Sequence, residues 1–191
     1  MLTKYKVIVL FLFLQTSVFS QDLGKVYFAG GCFWCMEESF EKKEGVLEVI
    51  SGYSGGTTEN PTYEEVTYED TGHFETIEIL FDKDKTNYQD LLNHFWKNID
   101  PFDEYGQFCD KGYSYRSVAF YENNEQKNLI EVSIMKLEKK FNKKIVTYVR
   151  KFDKFYKAED NHQNYYEVKF LNYLRYKKAC GREKKLNKIW N

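Results

Sequence analysis

The pattern of apolar and polar positions after residue 21 predicts alternating strands and helices. A short apolar run at residues 26–29 predicts a buried strand, and residues 36–43, with Phe40 among charged side chains, predict an amphipathic helix. Further strands are predicted where apolar and polar residues alternate, and further helices where apolar residues recur at helical spacing. The predicted strands are 45–53, 73–81, 117–121 and 145–149, and the predicted helices are 88–99 and 123–141.

Three other segments are predicted to be loops. Residues 57–72 are polar, residues 102–116 are rich in Gly, Tyr and charge, and residues 152–191 are aromatic, charged and irregular. The order βαββαβ, then a helix, a strand and a tail, fits an α+β two-layer sandwich with helices on one face of a mostly antiparallel sheet. We therefore predict a ferredoxin-like βαββαβ core with an irregular C-terminal wrap.

The first twenty residues have a different pattern. Lys4 and Lys6 precede an apolar run of eight residues, 7–14, and Ser20 precedes a polar stretch. These features are typical of a secretory signal peptide, and the run is far shorter than the roughly 20 residues of a spanning helix. We predict a signal peptide over residues 1–20, cleaved near Ser20, and export to the bacterial periplasm or cell envelope. Retention as an N-terminal anchor is the alternative.

Length and charge narrow the function classes. The chain has 191 residues, of which 42% are hydrophobic, enough for one compact core. No linker or repeat divides residues 21–191, which are therefore predicted to be a single domain. Loss of residues 1–20 removes two lysines and no acid, so the formal net charge moves from −1 to −3. An acidic chain argues against a nucleic-acid partner, and a monomer is the simplest expectation.

The strongest chemical signal is Gly30-Gly31-Cys32-Phe33-Trp34-Cys35. The glycines turn the chain between a predicted strand and helix, which places Cys32 at a helix N-terminus, where free N–H groups and the helix dipole favour a thiolate. Cys35 completes a C-x-x-C pair, which redox enzymes share with zinc half-sites. The alternatives are a buried structural cysteine, a zinc site that also uses Cys109 and Cys180, and a thioredoxin-like thiol oxidase.

Glu75 begins an alternating strand and shares a face with Ile77, Ile79 and Phe81. A carboxyl in such apolar surroundings has a raised pKa and can remain protonated as an acid. The alternative, to which the sequence gives equal weight, is that the Glu75 carboxylate lies at the rim of the sheet and faces water. Composition does not single out any of the loop residues Tyr63, Asp110 and Tyr115, and His162 is expected to be a packing histidine.

Several ordered motifs are shared with one family. They are Gly31-Cys32-Phe33-Trp34, Gly52-Tyr53-Ser54-Gly55-Gly56, Asn60-Pro61-Thr62-Tyr63, Thr71-Gly72-His73-Phe74-Glu75, Asp100-Pro101, Gln107-Phe108-Cys109-Asp110, Tyr115-Arg116-Ser117 and Ala158-Glu159-Asp160-Asn161-His162-Gln163. In these motifs and their spacing, from about Val26 to Trp190, the chain resembles the A-type peptide methionine sulfoxide reductases, the MsrA family.

The resemblance implies an enzyme that reduces methionine S-sulfoxide, free or in proteins, to methionine, and so repairs oxidised exported proteins. Cys32 matches the nucleophile that attacks the sulfoxide sulfur. Phe33 and Trp34 match the aromatic pocket for the substrate methyl group. Glu75, Tyr63 and Tyr115 match the residues that hold the sulfoxide oxygen, and the matching Glu is protonated in the family. Asp110 matches the acidic residue that helps to organise the site.

The resemblance also implies a sulfenic acid on Cys32, which a second thiol resolves into an intramolecular disulfide. Cys35, close in sequence, is the favoured resolving cysteine, and Cys180, in the C-terminal tail, is the other candidate and a possible second step. Cys109 is interpreted as a small loop residue. No bound cofactor or metal is expected, and thioredoxin or another dithiol donor would supply the reducing equivalents.

Overall fold

The computed structural model describes residues 22–191, so the predicted signal peptide lies outside the described residues. The strands of the main sheet are β1 (Leu23–Gly30), β2 (Val46–Ser54), β3 (Phe74–Asp82), β6 (Ser117–Tyr121), β7 (Tyr148–Lys151) and β8 (Phe155–Lys157), and a small hairpin is formed by β4 (Gly106–Gln107) and β5 (Asp110–Lys111). The helices are α1 (Phe33–Glu41), α2 (Tyr63–Tyr68), α3 (Tyr88–Lys97), α4 (Asn124–Phe141), α5 (Tyr165–Val168), α6 (Phe170–Cys180) and α7 (Arg182–Trp190). None of the helices between residues 22 and 191 has the length and apolar character needed to cross a membrane.

The six strands form one sheet in the order β7-β6-β1-β3-β2-β8. All neighbours are antiparallel except β6 and β7, which are parallel. Phe28 of β1 pairs with Ile77 of β3, and Tyr53 of β2 pairs with Glu75. The mixed α/β class and the mostly antiparallel sheet are confirmed. The pairing places the end of β1 and the start of β3 side by side in the sheet.

Helices α1, α3 and α4 cover one face of the sheet. Phe28 from the sheet stacks on Phe95 of α3 with ring centroids 4.6 Å apart, and Ile130 of α4 is buried in the same cluster. On the opposite face, Tyr27 stacks on Phe152 at 3.7 Å. Burial of this much aromatic surface supplies the main driving force for the fold and fixes the strand ends that carry the site.

Two predicted loops contain helices. Residues 57–72 include α2, which begins with a capping box: Glu65 N donates to Thr62 Oγ1 at 3.3 Å, and Thr62 N donates to Glu65 Oε2 at 2.7 Å. The signature Thr-x-x-Glu was present in the sequence, and it stabilises the helix N-terminus by satisfying free amides.

The predicted irregular C-terminal wrap was wrong. Residues 152–191 contain β8 and the helices α5, α6 and α7, and Gly181, at φ +66°, separates the last two helices. The apolar residues of α6 do not follow a clear helical period, because large ones such as Phe170 and Leu171 are exposed, whereas Tyr173 and Cys180 are buried.

Candidate active site

All seven residues predicted for catalysis and substrate binding line one cavity of about 80 Å³. The lining consists of Cys32, Phe33, Trp34, Tyr63, Glu75, Asp110, Tyr115 and one residue that the sequence analysis did not single out, Tyr176. They come from the β1–α1 turn, α2, β3, β5, a 3-10 turn and α6. The sheet and the C-terminal helices therefore both contribute to the site.

Cys32 is the N-cap of α1, as predicted from the two glycines before it. Gly31 has φ +79°, and a Cβ there would lie 2.5 Å from Gln107 Cβ, so this turn requires glycine. The amide of Phe33, however, donates to Glu75 Oε2 at 2.9 Å. Burial raises the pKa of the Cys32 thiol, which is only 5% exposed. The prediction that the helix N-terminus favours a Cys32 thiolate was therefore wrong.

Cys35 carries the more acidic thiol of the pair. The pKa of Cys35 is lowered to about 7 by a hydrogen bond with the Cys32 thiol and by the charge of Arg182. Burial of Cys35 opposes both effects. The Tyr173 hydroxyl lies 3.6 Å from Cys35 Sγ. The two thiols interact and therefore titrate as a pair.

Glu75 is buried, with 2% exposure, and Ile77, Ile79 and Phe81 on its face are buried as well. Burial raises the pKa of Glu75 well above its usual value, against the opposing hydrogen bond from the Phe33 amide. The predicted inward orientation and raised pKa are confirmed, and the alternative of a rim carboxylate is wrong. A protonated carboxyl can donate a hydrogen bond or a proton inside the cavity.

The two predicted tyrosines are donors held by their neighbours. Glu159 accepts from the Tyr63 amide at 2.8 Å and from the Tyr53 hydroxyl at 2.8 Å, which fixes the start of α2. Burial raises the pKa of Tyr63 and of Tyr115. Both phenols therefore remain protonated at neutral pH.

The aromatic wall of the cavity is rigid. Trp34 stacks on Tyr165 with centroids 3.8 Å apart, and the His162 ring stacks on Tyr63 at 4.4 Å. Burial lowers the pKa of His162, so its ring is a neutral packing element, as predicted. This stack packs behind Phe33 and Trp34, which line the cavity.

Tyr176 and Asp110 form a hydrogen-bonded pair. The Tyr176 hydroxyl donates to Asp110 Oδ2 at 2.5 Å, and burial raises the pKa of Asp110. Tyr176 was missed because it is one of sixteen tyrosines, in a segment predicted to be irregular. The spacing of Tyr173, Tyr176 and Cys180 along one helix face was the available signal.

Cys109 and Cys180 form a disulfide with an S–S distance of 2.08 Å, whereas Cys32 and Cys35 are free thiols. The interpretation of Cys109 as merely a small loop residue was wrong, and Cys180 has no free thiol in this state. The zinc alternative needs four thiolates around a single point, and the disulfide leaves only two thiols. The bond ties the loop that carries Asp110 to the end of α6.

A buried thiol and a buried carboxyl with a raised pKa that line one small cavity are typical of a thiol-dependent oxidoreductase. The family model described as peptide methionine sulfoxide reductase matches residues 24–191, and the chain therefore belongs to that family. It is an enzyme of the peptide-methionine sulfoxide reductase class.

The relatives agree with this assignment. The chain is 48% identical over 165 residues to the peptide methionine sulfoxide reductase MsrA of Bacillus velezensis, covering 85% of this chain and 93% of the relative. Among solved structures, methionine sulfoxide reductase A of Corynebacterium diphtheriae superposes with a TM-score of 0.70 at 28% identity over 76% of this chain and 74% of that one. Mxr1 from Saccharomyces cerevisiae has been solved in complex with Trx2; it superposes with a TM-score of 0.53 at 20% identity over 78% of this chain and 91% of that one, which shows a shared fold.

Proposed function

We propose that this protein reduces the S epimer of methionine sulfoxide, free or in oxidised proteins and peptides, through a sulfenic acid on Cys32. The observation that carries the proposal is that the Cys32 thiol and the buried Glu75, whose pKa is raised by burial, line one cavity of about 80 Å³. A sulfoxide sulfur is a poor electrophile until its oxygen is protonated, so nucleophile and acid must meet at one S–O group.

In the proposed reaction Cys32 Sγ attacks the sulfoxide sulfur, a sulfur–sulfur bond forms, and the S–O bond breaks as the oxygen leaves as water with one proton from Glu75 and one from Cys32. Water then attacks Cys32 Sγ, and the sulfur–sulfur bond breaks with its electron pair on the methionine sulfur, which is thereby reduced by two electrons. Cys32 is left as the sulfenic acid, and the proton released from the attacking water restores the Glu75 carboxyl. The hydroxyls of Tyr63 and Tyr115 stabilise the oxygen as it gains charge.

The apolar side of the cavity would hold the substrate methyl group. Phe33 and Trp34 offer ring faces for the methyl and the adjacent sulfur. Asp110 and Tyr176 also line the cavity, and their mutual hydrogen bond keeps the Asp110 carboxyl in place.

Cys35 is the proposed resolving cysteine. Its thiolate attacks Cys32 Sγ of the sulfenic acid, a disulfide forms, and hydroxide leaves as water after protonation. The charge of Arg182 and the Tyr173 hydroxyl, both beside Cys35, favour this thiolate by lowering the pKa of Cys35. Cys180 remains a second candidate only after exchange of its bond to Cys109. Thioredoxin or another dithiol then returns the pair to its reduced state.

We also propose that residues 1–20 are a cleaved signal peptide and that residues 21–191 act as a monomeric single domain on exported proteins. A stable disulfide between Cys109 and Cys180 fits an oxidising compartment. The inner strand order β6-β1-β3-β2 supports the ferredoxin-like description of the core.

The test is a single-turnover assay of residues 21–191 on the two epimers of a methionine-sulfoxide peptide. We expect one methionine per enzyme from the S epimer without any donor and none from the R epimer. Cys32→Ser is the control and should form no methionine. Methionine formation by that variant would exclude Cys32 as the nucleophile.

A further inference from the structure

The two thiols of the C-x-x-C pair open into different cavities. Cys32 lines the small cavity described above, whereas Cys35 lines a second one of about 330 Å³ between α1, α3, α6 and α7. No residue lines both cavities. A molecule in the second cavity can therefore reach Cys35 while the substrate cavity is occupied.

Arg182 gives the second cavity a buried positive charge. It is 4% exposed, and its Nη2 donates to Asn98 O at 2.6 Å and to Gly30 O at 3.2 Å. Its Nη1 is buried and has no hydrogen-bond partner within residues 22–191. A buried cation that lacks an anionic partner is costly, so an anion in this cavity would be stabilised.

The other charges around this cavity are already satisfied. Glu38 accepts from Lys42 at 2.7 Å, from Lys177 at 2.8 Å and from the Tyr173 hydroxyl at 2.6 Å. Lys177 also pairs with Glu183 at 2.9 Å. Burial lowers the pKa of His94, which leaves its ring neutral. Arg182 is thus the one lining cation without a carboxylate in the described part of the chain.

We propose that this second cavity, lined by Cys35 and Arg182, admits the thiolate of the electron donor, which attacks Cys35 Sγ in the Cys32–Cys35 disulfide. The inference rests on the proposed function. The donor sulfur bonds to Cys35 Sγ, the Cys32–Cys35 bond breaks, and Cys32 leaves as a thiolate that takes up a proton. The second thiol of the dithiol donor then attacks the donor sulfur of the mixed disulfide, which releases Cys35 and oxidised donor.

Separate cavities have a kinetic consequence. Methionine leaves through the Cys32 cavity, and the donor arrives through the Cys35 cavity, so product and donor do not compete for space. The same thiolate chemistry can come from a small dithiol or from a cysteine on a protein. The experiment therefore has one arm for each source.

The test fills the second cavity and measures only the donor step. The protein is oxidised with diamide to form the Cys32–Cys35 disulfide, and its reduction by dithiothreitol or by thioredoxin is followed by mass spectrometry. Leu186→Trp places a large ring at the cavity wall. Leu174→Trp is the matched control, since Leu174 lies on α6 outside this lining.

We expect Leu186→Trp to slow reduction by about tenfold or more with at least one donor, and Leu174→Trp to leave it unchanged. Slowing with dithiothreitol alone identifies a small thiol as the occupant, and slowing with thioredoxin alone identifies a protein cysteine. Arg182→Met, which removes the charge without adding bulk, should also slow reduction. Rates within twofold of wild type for both variants would overturn the proposal, as would equal slowing in the control.

The diamide route keeps this result separate from the proposed function. If wild-type protein forms no methionine in a single turnover, the proposed function fails, yet the donor step is still measured. If methionine forms normally in Leu186→Trp while reduction is also normal, the donor site alone is refuted.

Discussion

Replacement of Glu75 by Gln tests the acid role most directly. Gln keeps the volume and the oxygen that accepts from the Phe33 amide at 2.9 Å, so α1 should keep its N-terminal contact. It replaces the carboxyl, whose pKa burial raises, by an amide that cannot act as an acid. General acid catalysis contributes about 10²- to 10⁴-fold, which corresponds to about 3 to 5 kcal/mol of transition-state stabilisation.

We therefore expect Glu75→Gln to slow the first turnover by that factor, with peptide affinity little changed. The assay is rapid-quench measurement of methionine and of dimedone-trapped Cys32 sulfenic acid. Glu78→Gln on the same strand is the matched control, since Glu78 pairs with Lys25 and Tyr27 outside the cavity. A first turnover within threefold of wild type would refute the acid role.

The same variant has a signature in stability. Because burial raises the pKa of Glu75 in the folded state, its stabilising contribution is complete below the unfolded pKa of about 4.3 and is lost as pH rises through the folded pKa. Gln has no such loss. Urea titrations should show the free energy of unfolding of Glu75→Gln gaining on wild type as pH rises above about 5. A constant difference across that range would contradict the raised pKa.

Three further variants separate the remaining roles. Cys35→Ser should give a normal first turnover and a persistent sulfenic acid on Cys32, seen by mass spectrometry after dimedone; a disulfide to another cysteine would identify a different resolver. The double change Cys109→Ser/Cys180→Ser should lower the free energy of unfolding by about 4 kcal/mol, because the disulfide closes a loop of 71 residues. Urea denaturation without reductant measures this free energy, and a loss under about 1 kcal/mol would contradict the prediction. Tyr176→Phe removes the hydrogen bond to Asp110 and should slow the first turnover by about tenfold while Tm stays within a few degrees; an unchanged rate would exclude the pair from the reaction.

The pattern of residues along the sequence correctly predicted those features of the active site that depend on residues close together in the chain. The period of β3 placed Glu75 inward, and the glycine pair placed Cys32 at a helix start. The ionisation of Cys32 was mispredicted because burial, which depends on the tertiary packing around the thiol, raises its pKa. Tyr176 lines the active-site cavity and Arg182 lines the second cavity because of the way α6 and α7 pack. Most side chains of these two helices are exposed, so the sequence pattern does not indicate that packing.

Cysteine connectivity was beyond reach for a similar reason. Four cysteines allow three pairings, and nothing near Cys109 in the sequence indicates a partner 71 residues away. By contrast, the capping box at Thr62 and Glu65 is a local signature, so the sequence itself indicates α2 within the segment predicted to be a loop.

The bond between Cys109 and Cys180 imposes a selectivity requirement on the reducing system. One molecule holds a disulfide that must survive and, in the proposed cycle, forms another that must be opened at every turnover. Cys109 is exposed, whereas Cys35 is buried and lines a cavity together with the buried cation Arg182. A reductant that distinguishes disulfides by potential alone would risk loosening α6 each time it recycled the enzyme. When the reductant distinguishes the two disulfides by the way in which it reaches them, rather than by their reduction potentials, one compartment can keep the Cys109–Cys180 disulfide closed and still reduce the Cys32–Cys35 disulfide at every turnover.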